Sequence, residues 1–385
     1  MGAAVTRDRP AEPTPPPVKP PRPGTPRVVW WRLPLLVFGF VALALGLGAG
    51  LARLGVTVPP VAAGAAALHG PLMICGFFGV VIALERAVAI GRLWAYGAPL
   101  AAGLGTAMLA HGGGVVAPAF YLAASFGLLI ASLQVLQRQP ERFNLVIAAG
   151  AACWCIGTAA WAFGAPVHRI VGWWVAFLVL TIAGERLELS RFLPPSVVAQ
   201  RVFAAIVAVL LLALFAWPLP LAPRVFGGAL LALALWLLKQ DLARRTVRDR
   251  GLTRFIAVCL LSGYAWLAVG GSVIAWNGLA PGSPAYDAAL HALLLGFVFS
   301  MVFGHAPIVF PSVLRVTMPY HPASYLPLAL LHGSLLLRLA GDAGGRLDVQ
   351  RWGALLSALA LAAFIANTLA SVLRGARGRA AARGG

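Results

Sequence analysis

The chain has 385 residues, of which 60% are hydrophobic and only 11% are charged. This composition, with a mean hydropathy of +0.86, excludes an ordinary soluble globular domain. The net charge of +19 would suit nucleic-acid binding in a soluble protein, but here it accompanies long apolar runs separated by short basic loops. The sequence therefore predicts an all-α, polytopic membrane protein that lies in a lipid bilayer and binds no nucleic acid.

Twelve apolar runs are long enough to cross a bilayer as helices, which takes about 20 residues each. If the N-terminus is cytoplasmic, six basic residues lie outside and the other 24 of the 30 lie inside. That bias follows the positive-inside rule, so both termini are predicted to be cytoplasmic. Composition rich in Ala, Gly, Pro and Arg suggests a bacterial gene, and hence a multi-pass protein of the inner membrane. The predicted spans are 34–53, 62–86, 95–111, 115–136, 144–163, 167–185, 198–216, 224–239, 255–276, 286–306, 323–341 and 353–373.

The predicted chain organisation has a tail at each end and three membrane units between them. Residues 1–33 are basic and rich in proline, so they are predicted to form a disordered cytoplasmic tail. Residues 34–137, 138–254 and 255–373 are predicted to form three units of four helices each. Residues 374–385 are predicted to form a basic cytoplasmic tail.

The repetition is indicated by the second span of each unit. In the first two units this span ends in a Glu-Arg pair, at Glu85 and again at Glu185. It begins at a histidine, His69 in the first unit and His168 in the second. The matching span of the third unit opens at His291 but has no Glu-Arg pair. Two full matches and one partial match thus predict three internal repeats.

His69 is the first candidate for binding a cofactor. Met73 follows it at i+4 and Gly76 at i+7, so an α-helix would present all three on one face. Imidazole and thioether groups are ligands of haem iron and copper, and glycine allows a flat ring to approach. The alternative is a histidine that hydrogen-bonds a neighbouring helix, with glycines that serve helix packing.

Three further histidines are candidate metal ligands. His168 and His291 occupy the same end of their spans as His69, and His332 lies within the eleventh span. For His332 the alternative is a packed, hydrogen-bonded side chain. His111 and His321 lie in loops and are predicted to be solvated.

The sequence resembles two groups of known membrane proteins. Subunit I of the haem–copper oxidases also has twelve helices in three four-helix arcs, with ligand histidines on the second, sixth and tenth helices. His69, His168 and His291 fall on those helices, and the run from His69 to Met73 is similar to the low-spin haem helix of that subunit. The NnrS family of haem- and copper-containing membrane proteins, linked to nitric oxide stress, looks closer. It has a similar early span and a late His-Ala-Leu-x-x-Gly span, here His291–Gly296.

The resemblance implies haem b, with copper as a second metal, bound by His69 and His291 with Met73 and Gly76 beside them. It also implies a redox or nitric-oxide-stress role, with a redox partner or a small nitrogen-oxide ligand. The oxidase pattern needs a histidine pair near span seven and His-x-His on span ten, and this chain has neither. Oxygen reduction is therefore not expected. The alternative from another class is a small-solute permease without a cofactor.

Overall fold

A computed structural model describes residues 29–189 and 195–384. Of the residues in these two ranges 85% are helical, and none lies in a strand. Within the described part of the chain, twelve helices are long and apolar enough to span a membrane. This confirms the prediction of a polytopic, multi-pass helical membrane protein. The helices are α1 (Trp30–Arg53), α2 (Ala66–Ile90), α3 (Leu93–Ala110), α4 (Ala117–Arg138), α5 (Arg142–Ala162), α6 (Val167–Leu189), α7 (Val197–Phe215), α8 (Ala222–Gln240), α9 (Gly251–Asn277), α10 (Pro284–Leu314), α11 (Pro322–Ala343) and α12 (Leu347–Arg379).

The ends of several elements differ from the predicted limits. Helix α10 runs to Leu314, beyond the predicted end at 306, although it contains Pro307 and Pro311. Proline is tolerated in membrane helices because neighbouring helices and local winding satisfy the freed backbone groups. Helix α9 begins at Gly251, before the predicted unit limit at 255.

Both predicted tails include residues that are helical. Residues 1–28 of the N-terminal tail lie outside the described residues, but α1 begins within the tail, at Trp30, with one turn of 3-10 helix. The Arg32 guanidinium donates a 2.9 Å hydrogen bond to the carbonyl of Val313 at the end of α10. This bond, together with the one from the Val29 N–H to the Leu314 carbonyl, packs the described end of the predicted tail against the end of α10. At the other end, helix continues from Leu347 through the predicted tail to Gly384.

Three helices form the centre of the bundle. In their most apolar windows, 83% of α6, 61% of α10 and 56% of α2 is buried, whereas every other span reaches 50% or less. These three are the second helices of the three predicted units. Apolar character alone does not place these helices in the interior, because α7 is more apolar than α6 and yet only 33% of its window is buried. The candidate histidines at the starts of α2, α6 and α10 thus belong to the central helices.

Two of the central helices change their winding directly after a histidine. In α2 a π-helical segment, Leu72–Phe78, follows His69, and in α10 a π-helical segment, Ala292–Val298, follows His291. Helix α6 is α-helical throughout from Val167 to Leu189. Segments of π-helix are rare and frequently lie at functional sites. They therefore single out α2 and α10.

Candidate functional site

The site is built around two histidines that face each other across the central helices. The ring centroids of His69 and His291 lie 6.2 Å apart, and the ring planes differ by 14°. The two residues are 222 positions apart in the chain, as their numbers show, and only the packing of α2 against α10 brings them together. Both side chains are partly buried and line the same cavity.

Backbone hydrogen bonds determine the tautomer of both rings. The Nδ1 of His69 lies 2.7 Å from the carbonyl oxygen of Gly46, and the Nδ1 of His291 lies 2.9 Å from that of Asp287. A carbonyl oxygen can only accept, so each Nδ1 carries the proton and donates it. In each neutral ring the Nε2 lone pair is then free to bind a metal. Metal-ligating histidines usually have this arrangement, with the second ring nitrogen donating to a carbonyl or carboxylate.

Glycines of α1 make room for the side chains of α2. A Cβ atom at Gly50 would lie 2.9 Å from both Nδ1 and Cε1 of the His69 ring. A Cβ atom at Gly46 would lie 2.8 Å from the sulfur of Met73. A real Cβ atom essentially never comes this close to a non-bonded atom. The absence of a side chain at these two glycines therefore allows His69 and Met73 to lie against α1.

An ionic network surrounds His291. The Asp287 carboxylate accepts two hydrogen bonds from the guanidinium of Arg338, at 3.0 and 3.2 Å. One of its oxygens, Oδ2, lies 3.3 Å from the Nδ1 of His291. Arg338 is 7% exposed, and a charge this buried needs a partner. The network therefore links α11 to α10 and orients the ring of His291.

The cavity beside the histidines has a volume of about 650 Å³. Its apolar side includes Phe78 and Phe299, whose ring centroids lie 5.1 Å apart. Its polar side includes Arg53 and Arg346 in addition to the Arg338–Asp287 pair. The connections before α10 and before α12 also line it, so the cavity lies at the end of the bundle that the charge bias predicts to face outside. This volume is within the range of about 300–1,000 Å³ that is common for sites of small molecules and cofactors.

The other predicted ligands are not all brought to this pair. Met73 and His168 line the cavity, and His168 is exposed. His332 does not line it. Its Nδ1 accepts a 2.9 Å hydrogen bond from the indole of Trp266, and its Nε2 lies 3.1 Å from the Ser262 hydroxyl. With both ring nitrogens occupied, His332 matches the packed alternative rather than a metal ligand.

Gly76 lies on the side of α2 that faces α1, as His69 does, but it does not line the cavity. A Cβ atom at Gly76 would meet Ala42, Thr106 and Tyr121, which belong to α1, α3 and α4. Ala42, Gly46 and Gly50 lie on successive turns of α1 and adjoin Gly76, Met73 and His69 respectively. Gly76 therefore serves close helix packing, as the alternative interpretation proposed.

Within the described ranges, no group of three or more His, Cys, Asp or Glu side chains is arranged to hold a metal ion. The site therefore offers two imidazole ligands. The sequence analysis predicted neither the π-helical segments, for which no sequence signal is known, nor the role of Asp287. The position of Asp287 one helical turn before His291, together with the lone arginine in the apolar run of α11, could have indicated that role.

A second buried polar cluster lies at the far end of the central helices. The Arg186 guanidinium donates to both carboxylate oxygens of Asp241, at 2.7 and 3.0 Å. The Tyr264 hydroxyl donates to the same carboxylate at 2.7 Å. Burial alone would raise the pKa of Asp241, which follows the last residue of α8, but the hydrogen bonds and charge of Arg186 outweigh it and lower the pKa. This cluster joins α6, α8 and α9 through Arg186, the arginine of the second Glu-Arg pair.

Comparison with known families identifies one match that covers most of the chain. Residues 32–373 match the model of the family described as "Domain of unknown function (DUF8744)". No curated protein matches the chain.

Proposed function

Because the chain belongs to the DUF8744 family, a domain of unknown function, we propose its function from the site: it binds haem b through His69 and His291 and has a redox role in the membrane. Bound haem would supply an iron centre that exchanges one electron. The observation that carries the proposal is the pair of facing imidazoles, each with its Nδ1 within hydrogen-bond distance of a backbone carbonyl.

The separation of the rings supports binding to a single metal centre. Metal–imidazole bonds are about 2 Å long and the ring centre lies roughly 1.1 Å further on, so imidazoles on opposite sides of one metal have centres about 6 Å apart. The rings of His69 and His291 are 6.2 Å apart and nearly parallel. The spacing permits a shared metal but does not require one, since Trp266 and His332 pack without a metal at 6.3 Å.

The number of ligands favours haem over copper. A bare metal ion in a protein usually takes three or four side-chain ligands. Haem iron needs only one or two, since the macrocycle supplies the rest. The two imidazoles beside a cavity of about 650 Å³ therefore suit haem. Copper at this site would need His168 or Met73 as an additional ligand.

The residues of this chain would have separate roles toward the haem. His69 and His291 hold it, and their carbonyl partners on α1 and α10 keep the Nε2 atoms unprotonated. Phe78 and Phe299 exclude water from the apolar side of the cavity. Arg53 and Arg346, on its polar side, are suited to pair with carboxylates. The nitric-oxide-stress role rests on the resemblance to NnrS proteins, and the inner-membrane location rests on the composition of the chain.

The test is an absorption spectrum of purified protein, reconstituted with haem and then reduced. We expect the sharp bands of low-spin haem b, and we expect His69→Gly or His291→Gly to abolish them. Because a cavity variant leaves space for free ligand, added imidazole should restore the bands in each variant. This rescue separates loss of a ligand from loss of the fold.

Matched controls are His111→Ala and His321→Ala, since both side chains are exposed and neither lines the cavity. Both should keep the wild-type spectrum. Full haem content in the His69→Gly, His291→Gly double variant contradicts the assignment. A wild type that stays colourless after reconstitution favours the permease instead, with the cavity as a solute site.

A further inference from the structure

A second cavity, of about 530 Å³, lies at the end of the bundle opposite to the histidines. Helix α9 begins there at Gly251 and runs to Asn277, next to the start of α10 that carries His291. The cavity thus lies at the arginine-rich end, which the charge bias predicts to be cytoplasmic. It is lined by Arg250, Gly251, Arg254, Val258, Tyr320 and Tyr325.

The cavity forms where the first turns of two parallel helices lie side by side. The rings of Phe255 on α9 and Tyr325 on α11 are 5.2 Å apart, and further along the same helices Ser262 contacts His332. Phe255 also packs against Tyr320, at 6.1 Å. Phe255 is 2% exposed, so it holds both tyrosines in position from the interior side. The phenols are therefore arranged by the fold.

The charge of this cavity is uncompensated. Arg250 and Arg254 are four positions apart and exposed, and neither has an acidic partner in the part of the chain that the structure describes. No side chain caps the N-terminus of α9, so its first N–H groups are free as well. Guanidinium forks, phenol hydroxyls and helix N-termini are all donors that suit phosphate oxygens.

The surroundings of the cavity distinguish a lipid from a soluble anion. Val258 lines it one turn deeper along α9 than Arg254. Leu326, directly after Tyr325, is 72% exposed on the outside of the bundle. Polar donors thus adjoin an apolar surface that faces the acyl chains. Basic pockets between membrane helices at the cytoplasmic side are typical sites for anionic lipid head groups.

We propose that this cavity binds the phosphate of an anionic phospholipid, with Arg250 and Arg254 as the charged ligands and Tyr320 and Tyr325 as further donors. The site is separate from the histidine pair and does not depend on haem. It would tie the first turns of α9 and α11 to the membrane surface and so stabilise the third unit.

The test is the thermal unfolding of delipidated protein in a neutral detergent, followed by tryptophan fluorescence. Phosphatidylglycerol is titrated in mixed micelles, with phosphatidylcholine and inorganic phosphate as separate arms. We expect phosphatidylglycerol alone to raise the midpoint, because a ligand of the folded state stabilises it. In the double variant Arg250→Gln, Arg254→Gln the half-saturating lipid concentration should rise about tenfold or more.

The matched control is Arg245→Gln, Arg248→Gln, which removes the same charge from the same connection but leaves the cavity intact. Its half-saturating lipid concentration should equal that of the wild type. An equal loss of lipid affinity in both double variants means that only the net charge of the connection matters, and this result overturns the proposal. An equal response to inorganic phosphate overturns the lipid as ligand. If the double variant does not fold, the single variants Arg254→Lys and Tyr320→Phe replace it. A half-saturating lipid concentration equal to that of the wild type in both single variants contradicts the proposed lipid site.

Discussion

Backbone carbonyls accept hydrogen bonds from both central histidines, and at one of them a carboxylate adds to the carbonyl. Gly46 supplies the carbonyl that accepts from His69, and Gly50 supplies the space in which the ring lies. On the other helix, the carbonyl and carboxylate of Asp287 both face the Nδ1 of His291. Groups that orient a metal ligand are expected to affect metal affinity almost as much as the ligand itself.

The first residue-scale prediction concerns Gly50. In Gly50→Ala the new methyl group would lie 2.9 Å from the His69 ring, which must therefore move away from the Gly46 carbonyl. We expect haem affinity to fall about 10- to 100-fold, the usual cost of disturbing a group that orients a metal ligand. The measurement is a haem titration followed by absorption. The control Gly333→Ala adds a methyl group in open space on α11, and an affinity in Gly50→Ala equal to that of this control contradicts the role of Gly50.

At the scale of the elements, ion pairs connect neighbouring helices at both ends of the central helices. At one end Arg338 of α11 is bound to Asp287 of α10. At the other end Arg186 of α6 is bound to Asp241 after α8, which also accepts from Tyr264 of α9. The side chains of Arg186 and Asp241 are only 8% and 2% exposed. Each charge is therefore satisfied only while its helix stays in register.

The second prediction follows from the buried pair. Asp241→Asn leaves the charge of Arg186 buried without a counter-charge, which costs about 3–5 kcal/mol of stability. Tyr264→Phe removes one hydrogen bond to the carboxylate and should cost about 1–2 kcal/mol. The measurement is the midpoint of thermal unfolding in detergent. The control Asp348→Asn removes an exposed pair with Arg346 and should leave the midpoint unchanged, whereas equal midpoints for Asp241→Asn and this control refute the prediction.

The same pair has a predictable pH dependence. The pKa of Asp241 is lowered in the folded protein, so its carboxylate stabilises the fold at any pH above the pKa in the unfolded chain, about 3.9. That contribution is lost as the pH falls from the unfolded value through the lower, folded one. Between pH 5 and 8 the difference in midpoint between wild type and Asp241→Asn should therefore stay constant.

At the scale of the whole molecule, twelve spans arrange three central helices inside a ring of outer ones. Helices α2, α6 and α10 are the most buried, and the histidine cavity lies at one end of them while the basic connections lie at the other. The two proposed sites are thus at opposite faces of the membrane. An electron-transfer role for haem at one face requires a partner at that face.

The third prediction is the topology that this arrangement needs. Reporter fusions after Arg142 and Arg250 should indicate the cytoplasm, since the basic residues concentrate at that end. Fusions at Gly113 and Gly282, in the connections at the cavity end, should indicate the outside. A fusion at Arg250 that reports the outside would invert the molecule and move the proposed haem site to the cytoplasmic face.

The sequence was sufficient for the features that depend on local composition. Apolar runs of bilayer length predict twelve spans, because each backbone segment in lipid must satisfy its own hydrogen bonds as a helix. The recurring histidines of the second spans also marked His69 and His291 as a pair, since repeated units place equivalent positions at the same height.

Only the tertiary structure decided which side chains meet, because those contacts join residues far apart in the chain. Gly76, which the sequence grouped with His69, packs closely among α1, α3 and α4 and does not line the histidine cavity. Trp266 and Ser262 occupied both nitrogens of His332, which removed it from the candidate ligands. Helix winding and long-range hydrogen bonds depend on the whole packed bundle, and no local pattern of residues encodes them.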